Sequence, residues 1–193
     1  MKPSLLIYVH GFNSSPGSLK ASLMAKYCAE HRPDIRVEIP QLPNFPEQAA
    51  YQLKQLVEEH QNDYRIGLAG SSLGGYFCTW LNAHYALPAV LINPAVKPYE
   101  LLVDFLGVQI NPYTHESYVL NDTHIDDLKV IDVETLTNPD NIWVLLQTGD
   151  ETLDYRQAEK KYQSAHLTIE SGGDHGFVDF ERYPERIIQF LNL

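Results

Sequence analysis

Two patterns of apolar residues alternate along this chain. Uninterrupted apolar runs stand at residues 5–9, 89–92 and 142–146, the last closed by Gln147 in a strand read over 142–147, with shorter strand-like stretches at 36–39, 65–69 and 166–169. Runs rich in Val, Ile and Leu without polar alternation mark strands buried on both faces. Between them apolar residues recur at helical spacing. Leu19, Leu23, Tyr27 and Cys28 share a face over 18–31, with Ser18 as N-cap and Pro33 beyond the end. Ala49, Leu53, Leu56 and Val57 do the same in a helix that Pro46 opens and that runs to about His60. Further helices are expected at 73–85, 99–106, 155–162 and 179–191. Strand and helix in alternation predict an α/β fold, a parallel sheet with helices on both faces and right-handed crossovers.

One stretch breaks the alternation. Residues 107–141 are dense in Asn, Asp, Thr and Pro and separate the fourth and fifth strands. A connection of that length in a compact domain is usually functional, so a small cap or lid insertion is expected there. No repeat, low-complexity tract or linker interrupts the rest, and residues 1–193 read as one domain.

Composition narrows the possibilities. At 193 residues, about 70% of the unfolded chain's surface can be buried, enough for one substantial core. With 44% hydrophobic and 20% charged residues the chain has the make-up of a globular protein. Its net charge of −11 provides no footprint for nucleic acid or an anionic membrane, and no general attraction for anionic substrates. Cys28 and Cys78, the only cysteines, are far apart in sequence and suggest neither a disulfide framework nor a zinc site. Met24 and Cys78 fall at core positions of their helices. No run reaches the ~20 residues that span a bilayer, and the start of the chain does not read as a signal peptide, so a cytoplasmic location is expected. His31, His60, His84, His115, His124 and His166 show no metal-ligand spacing. No metal or other cofactor is expected.

The sharpest chemical signal is Gly70-Ser71-Ser72-Leu73-Gly74, which follows a strand and opens a helix. It fits G-x-S-x-G, in which the central serine occupies a strained strand-to-helix turn with its hydroxyl exposed, and small neighbours let backbone approach closely. A serine needs a base, and the base an acid to orient it. Asp150 follows the fifth strand in Gln147-Thr148-Gly149-Asp150, and His175 follows the sixth in Gly173-Asp174-His175-Gly176. Both fall at the sheet edge where Ser72 lies and where open α/β sheets bind ligands. Asp154 is a rival for the acid. Asp174 is read as a flanking surface residue, because adjacent side chains diverge.

These residues, with His10-Gly11-Phe12 after the first strand, resemble the α/β-hydrolase superfamily over nearly the whole chain. More narrowly, YVHGFNSSP, PQLP, GSSLGGY, INPAV, NPYT, QTGDETLDYRQA and GGDHGF resemble the small bacterial esterases of the YqiA type, with the YcfP group as relatives. The resemblance implies a minimal α/β-hydrolase fold of six mainly parallel strands in the order 2-1-3-4-5-6. It implies a serine esterase acting on simple acyl esters through an acyl-enzyme, with acyl-CoA thioesters or an acyltransferase reaction as the alternative. A non-catalytic binding protein on the same fold is the third reading. Carried over, Ser72 is the nucleophile, His175 the general base and Asp150 the acid that orients it. The backbone N–H groups of Phe12 and Leu73 form the oxyanion hole, and Gly11, Gly70 and Gly74 support the turns. His10 is expected to brace its loop. Asn13-Ser14-Ser15-Pro16-Gly17 reads as a turn bordering the pocket. Tyr76, Phe105, Tyr113 and Tyr118 are aromatic residues for either pocket or core. Oligomeric state is not legible.

Overall fold

The computed structural model describes residues 2–193. Its strands are β1 (Ser4–Val9), β2 (Ile35–Glu38), β3 (Arg65–Ser71), β4 (Ala89–Ile92), β5 (Gly107–Ile110), β6 (Ser117–Leu120), β7 (Ile142–Gln147) and β8 (His166–Glu170). The helices are α1 (Leu19–His31), α2 (Pro46–His60), α3 (Leu73–Tyr85), α4 (Pro98–Leu101), α5 (Asp122–Val130), α6 (Tyr155–Lys161) and α7 (Pro184–Phe190). Six strands form one parallel sheet in the order β2-β1-β3-β4-β7-β8. Counting only these six, that is the expected order 2-1-3-4-5-6.

The continuous apolar runs are explained by the sheet's two covered faces. In β1, Leu5, Ile7 and Val9 enter one core with α2, α3 and α5, while Leu6 and Tyr8 enter a second core with α1 and α7. Successive side chains of a strand point to opposite faces, so a strand feeding both cores has no polar position to spare. Met24 and Cys78 are fully buried, as their positions imply. Leu19 is not core: it is 69% exposed, because α1 buries Ala21, Met24 and Cys28 instead. Among the described residues, no helix is long and apolar enough to cross a membrane.

Three departures from the pattern have local causes. The expected helix 99–106 starts at Pro98 and tightens into a 3₁₀ turn over Leu102–Phe105. The expected helix 179–191 splits into a 3₁₀ turn, Phe180–Arg182, and α7, because Pro184 lacks the N–H that a helix interior needs and so takes a first-turn position. Residues 107–141 are not an unstructured connection. They form an antiparallel hairpin, β5–β6, then α5, which Asn121 and His124 start with a reciprocal capping box. The hairpin alternates by twos, burying Tyr118 and Leu120 while Val108, Ile110 and Val119 stay exposed. Strands of four residues with polar turns between them do not stand out from a loop in sequence.

Backbone packs closely against backbone where α3 begins. A Cβ added to Gly74 would collide with the carbonyl of Val9 at the end of β1, and one on Gly70 would strike Gly74 and Cys78. Neither obstacle is a flexible side-chain tip, so neither can yield without shifting the sheet. Gly74→Ala is expected to destabilise the protein by about 3 kcal/mol or more, a fall in melting temperature of roughly 6–12 °C at this chain length. Gly17→Ala, whose added Cβ would meet only Ser15 Oγ at 3.4 Å, should melt close to the wild type. Differential scanning calorimetry of the two variants checks this.

Candidate active site

Ser72 joins β3 to α3 with φ 56° and ψ −122°, a conformation that costs a non-glycine residue roughly 1–3 kcal/mol. Its backbone is held on both sides. The Ser72 N–H donates to Ile92 O (3.1 Å), and Ser72 O accepts from Gly75 N (3.0 Å) and Ala95 N (3.0 Å). The side chain makes no cap to its own helix, unlike an ordinary N-cap serine. It opens instead into a cleft of about 310 Å³ that His175, Phe12, Lys20 and Tyr113 also line.

Asp150 and His175 meet at the sheet edge. His175 Nδ1 lies 2.8 Å from Asp150 Oδ2, with the carboxylate almost fully buried and the imidazole a quarter exposed. Asp150 Oδ1 accepts the backbone N–H groups of Thr152 (2.9 Å) and Leu153 (2.8 Å), which fixes its rotamer. Asp154 is elsewhere: it caps α6 through Arg156 N and pairs with the Arg156 guanidinium. Asp174 is exposed.

The loop that carries His175 is held by two buried amides the sequence did not single out. Gln147 Oε1 accepts the N–H groups of Asp174 (3.2 Å) and Val178 (2.9 Å), and its Nε2 donates to Val178 O (2.9 Å) and Glu170 (3.0 Å). Asn93, at φ 40°, donates to Asp174 O (3.0 Å) and His175 O (3.4 Å) and accepts from Gln147 N (3.0 Å). Each side chain is 3% exposed. A second hold comes from Glu151, whose carboxylate accepts His175 N–H at 3.0 Å. The available signal was a single polar residue closing an otherwise apolar strand, Asn93 after β4 and Gln147 at the end of β7, both on the edge that carries the site.

Gly11 brings the loop after β1 against Ser72. A Cβ there would lie 3.2 Å from Ser72 Cβ and 3.3 Å from Ser71 O, closer than nearly all real contacts. The N–H groups of Phe12 and Leu73 have no acceptor among the described residues. His10 sets the direction of the first. The buried ring accepts the Leu42 N–H at Nε2 (3.1 Å), so its proton is on Nδ1, which donates to Gly11 O (3.0 Å). In a trans peptide the C=O and the following N–H point opposite ways, so holding Gly11 O aims Phe12 N–H. Burial keeps the His10 imidazole below the ordinary histidine pKa, against the Gly11 hydrogen bond.

The hairpin is fastened to this same loop. Tyr118 donates to Asn13 Oδ1 (2.7 Å), Asn111 Nδ2 donates to Ser14 O (3.1 Å), and Phe105 meets Phe12 edge to face at 5.7 Å. Behind Phe12 and Leu73, against the hairpin, is a small cavity of about 20 Å³, room for one water. Of the four aromatics singled out in sequence, Tyr113 lines the cleft and Tyr118 the cavity, and Phe105 touches Phe12. Tyr76 is core, bonded to Leu128 O. Among the described residues, no three His, Cys, Asp or Glu side chains are grouped to hold a metal ion.

A family model described as "Uncharacterised protein family (UPF0227)" matches residues 5–192. The UPF0227 protein YcfP of Salmonella gallinarum is 27% identical over 193 residues, covering 98% of this chain and 99% of its own. Est1E from Butyrivibrio proteoclasticus, solved with ferulic acid bound, superposes with TM-score 0.77 at 17% identity, over 99% of this chain and 89% of Est1E. The mouse alpha/beta hydrolase domain-containing protein 10 gives TM-score 0.74 at 14% identity, over 100% of this chain and 92% of its own. The fold is that of the α/β-hydrolases.

Because burial lowers the folded-state pKa of His10, the unfolded chain binds the extra proton first as pH falls. The neutral ring's contribution to stability is complete above the unfolded value of about 6.5 and is lost as pH falls through the folded one. A histidine ¹⁵N titration should find His10 as the Nδ1–H form at pH 7, with a midpoint below 6.5. His10→Ala should shrink the loss of stability between pH 7 and pH 5 in urea denaturation.

Proposed function

The chain belongs to the UPF0227 family, and from that starting point we propose that it is a serine esterase that cleaves simple acyl esters through an acyl-enzyme. The observation that supports this most directly is the pairing within one cleft of a strained, uncapped serine hydroxyl with an imidazole hydrogen-bonded to a buried carboxylate. Ser72 Oγ attacks the ester carbonyl as His175 Nε2 takes its proton. Asp150 keeps the other ring proton on Nδ1 and stabilises the imidazolium that forms. The oxyanion is received by the N–H groups of Phe12 and Leu73, each donor being worth about 3–4 kcal/mol to such a transition state. The imidazolium then protonates the leaving alcohol, and water activated by His175 hydrolyses the acyl-enzyme.

In the same reading, residues 107–141 form a small cap that shapes access to the cleft. Two facts favour it: the hairpin is bonded to Asn13 and Ser14, and it lends Tyr113 to the cleft wall.

Intact-mass labelling with a fluorophosphonate, alongside hydrolysis of p-nitrophenyl acetate, tests the proposal. One adduct is expected in the wild type and none in Ser72→Ala, with turnover lost in the variant. Asp150→Asn should lower kcat by about 10,000-fold, whereas Asp154→Asn, which touches only the α6 cap, should stay within about threefold. A folded wild type that takes no label and turns over no ester would overturn the reading.

A further inference from the structure

The cleft shared by Ser72 and His175 has one Lys or Arg among its lining residues, Lys20. It projects from the first turn of α1, and its Nζ donates to Gly176 O at 2.9 Å. That is its only hydrogen bond among the described residues, and no carboxylate forms an ion pair with it there. Asp174 and Asp150 act on it through the field alone. An ammonium has three N–H donors, so two are left without a protein acceptor. The group is also substantially desolvated, which pushes its pKa below the ordinary lysine value while the two aspartates pull the other way. A partly desolvated cation with unused donors is stabilised by an acceptor of opposite charge.

Its position tells which half of a substrate it would meet. Gly176 follows His175 directly, so the ammonium is tethered to the main chain next to the residue that carries the imidazole, and both line the one cleft. In acyl transfer the imidazolium hands its proton to the leaving alcohol, so a group tethered beside that residue would meet the alcohol half of the ester. Ser18, another lining residue, spends no side-chain bond on capping α1 and adds a hydroxyl to the same wall. We propose that Lys20 and its surroundings form a subsite for an anionic oxygen group, carboxylate or phosphate, carried on the alcohol part of the ester. This inference rests on the esterase reading above. It also runs against the chain's overall charge of −11, which repels anions at long range, so the selectivity has to come from close contact inside the cleft.

Three acetyl esters with related leaving groups separate the possibilities: 4-acetoxybenzoate, 4-acetoxyphenyl phosphate and the neutral methyl 4-acetoxybenzoate, each assayed at pH 7 and low salt. The wild type is expected to favour at least one anionic ester over the methyl ester by about tenfold in kcat/KM, equivalent to about 1.4 kcal/mol. Which of the two is preferred tells carboxylate from phosphate. The ratio should fall as salt is raised, and it should collapse to one or below in Lys20→Met while Lys20→Arg retains part of it. A wild-type ratio at or below one for both anions would overturn the subsite and leave the esterase reading standing, as would a preference that survives in Lys20→Met. The wild-type ratio and its salt dependence decide the matter even where a variant folds poorly. Failure to turn over any of the three esters, together with no fluorophosphonate label, would overturn the esterase reading and the subsite with it.

Discussion

The contact between the first turn of α3 and the end of β1 sets the frame for the rest of the molecule. Gly74 leaves no space for a side chain above the Val9 carbonyl, and Gly70 none beneath Gly74. The helix therefore starts against the sheet with backbone touching backbone, and the residue between strand and helix must turn through a left-handed conformation. The energy of that turn is supplied by its surroundings. Ser72 is bonded at both its N–H and its C=O to the strand-end segments around β4, and the two apolar cores clamp the strands from either side. A strained serine whose hydroxyl opens into the cleft is thus a product of dense packing a few ångströms behind it.

The remaining groups reach the same cleft from separate strand ends, mainly by gripping main chain. His10 holds the Gly11 carbonyl, Gln147 and Asn93 hold the backbone on either side of His175, and Asp150 is fixed by two N–H groups of its own loop. Each is a buried or half-buried polar side chain whose hydrogen-bonding capacity is used on the protein. Such groups are costly to leave unpaired, so they narrow the loops to one arrangement. Lys20 is the exception: a partly desolvated cation with one bond made and two donors unused among the described residues.

Much of the scaffold could be read from the chain because its determinants are local. The runs at 89–92 and 142–146 are apolar on both faces, and Pro46 marks the start of α2 without ambiguity. Ser72, Asp150 and His175 each stand just beyond a strand, flanked by the small residues such turns require. What sequence concealed was either weakly patterned or long-range. β5 and β6 are four-residue strands half open to solvent, and Leu19 has core spacing although no core faces it. Asn93 and Gln147 look like ordinary strand ends until the fold places them more than 25 residues away from partners in the His175 loop. Between Asp150 and Asp154, the place directly after Gly149 at a strand end already favours Asp150, and of the two only Asp150 lies against the imidazole.

The manner in which the His175 loop is held has a consequence for how this protein can diverge. Within residues 174–178, Asn93 and Gln147 bond to peptide groups and to no side chain, and the side chains of Asp174 and Val178 are exposed. Natural drift at those two positions therefore leaves the loop's path intact. Gly173 is barred from joining them, because at φ 75° any side chain it acquired would run into Gln147. Descendants of this chain can change the exposed surface on either side of the imidazole while the two amides beneath keep the loop where it is.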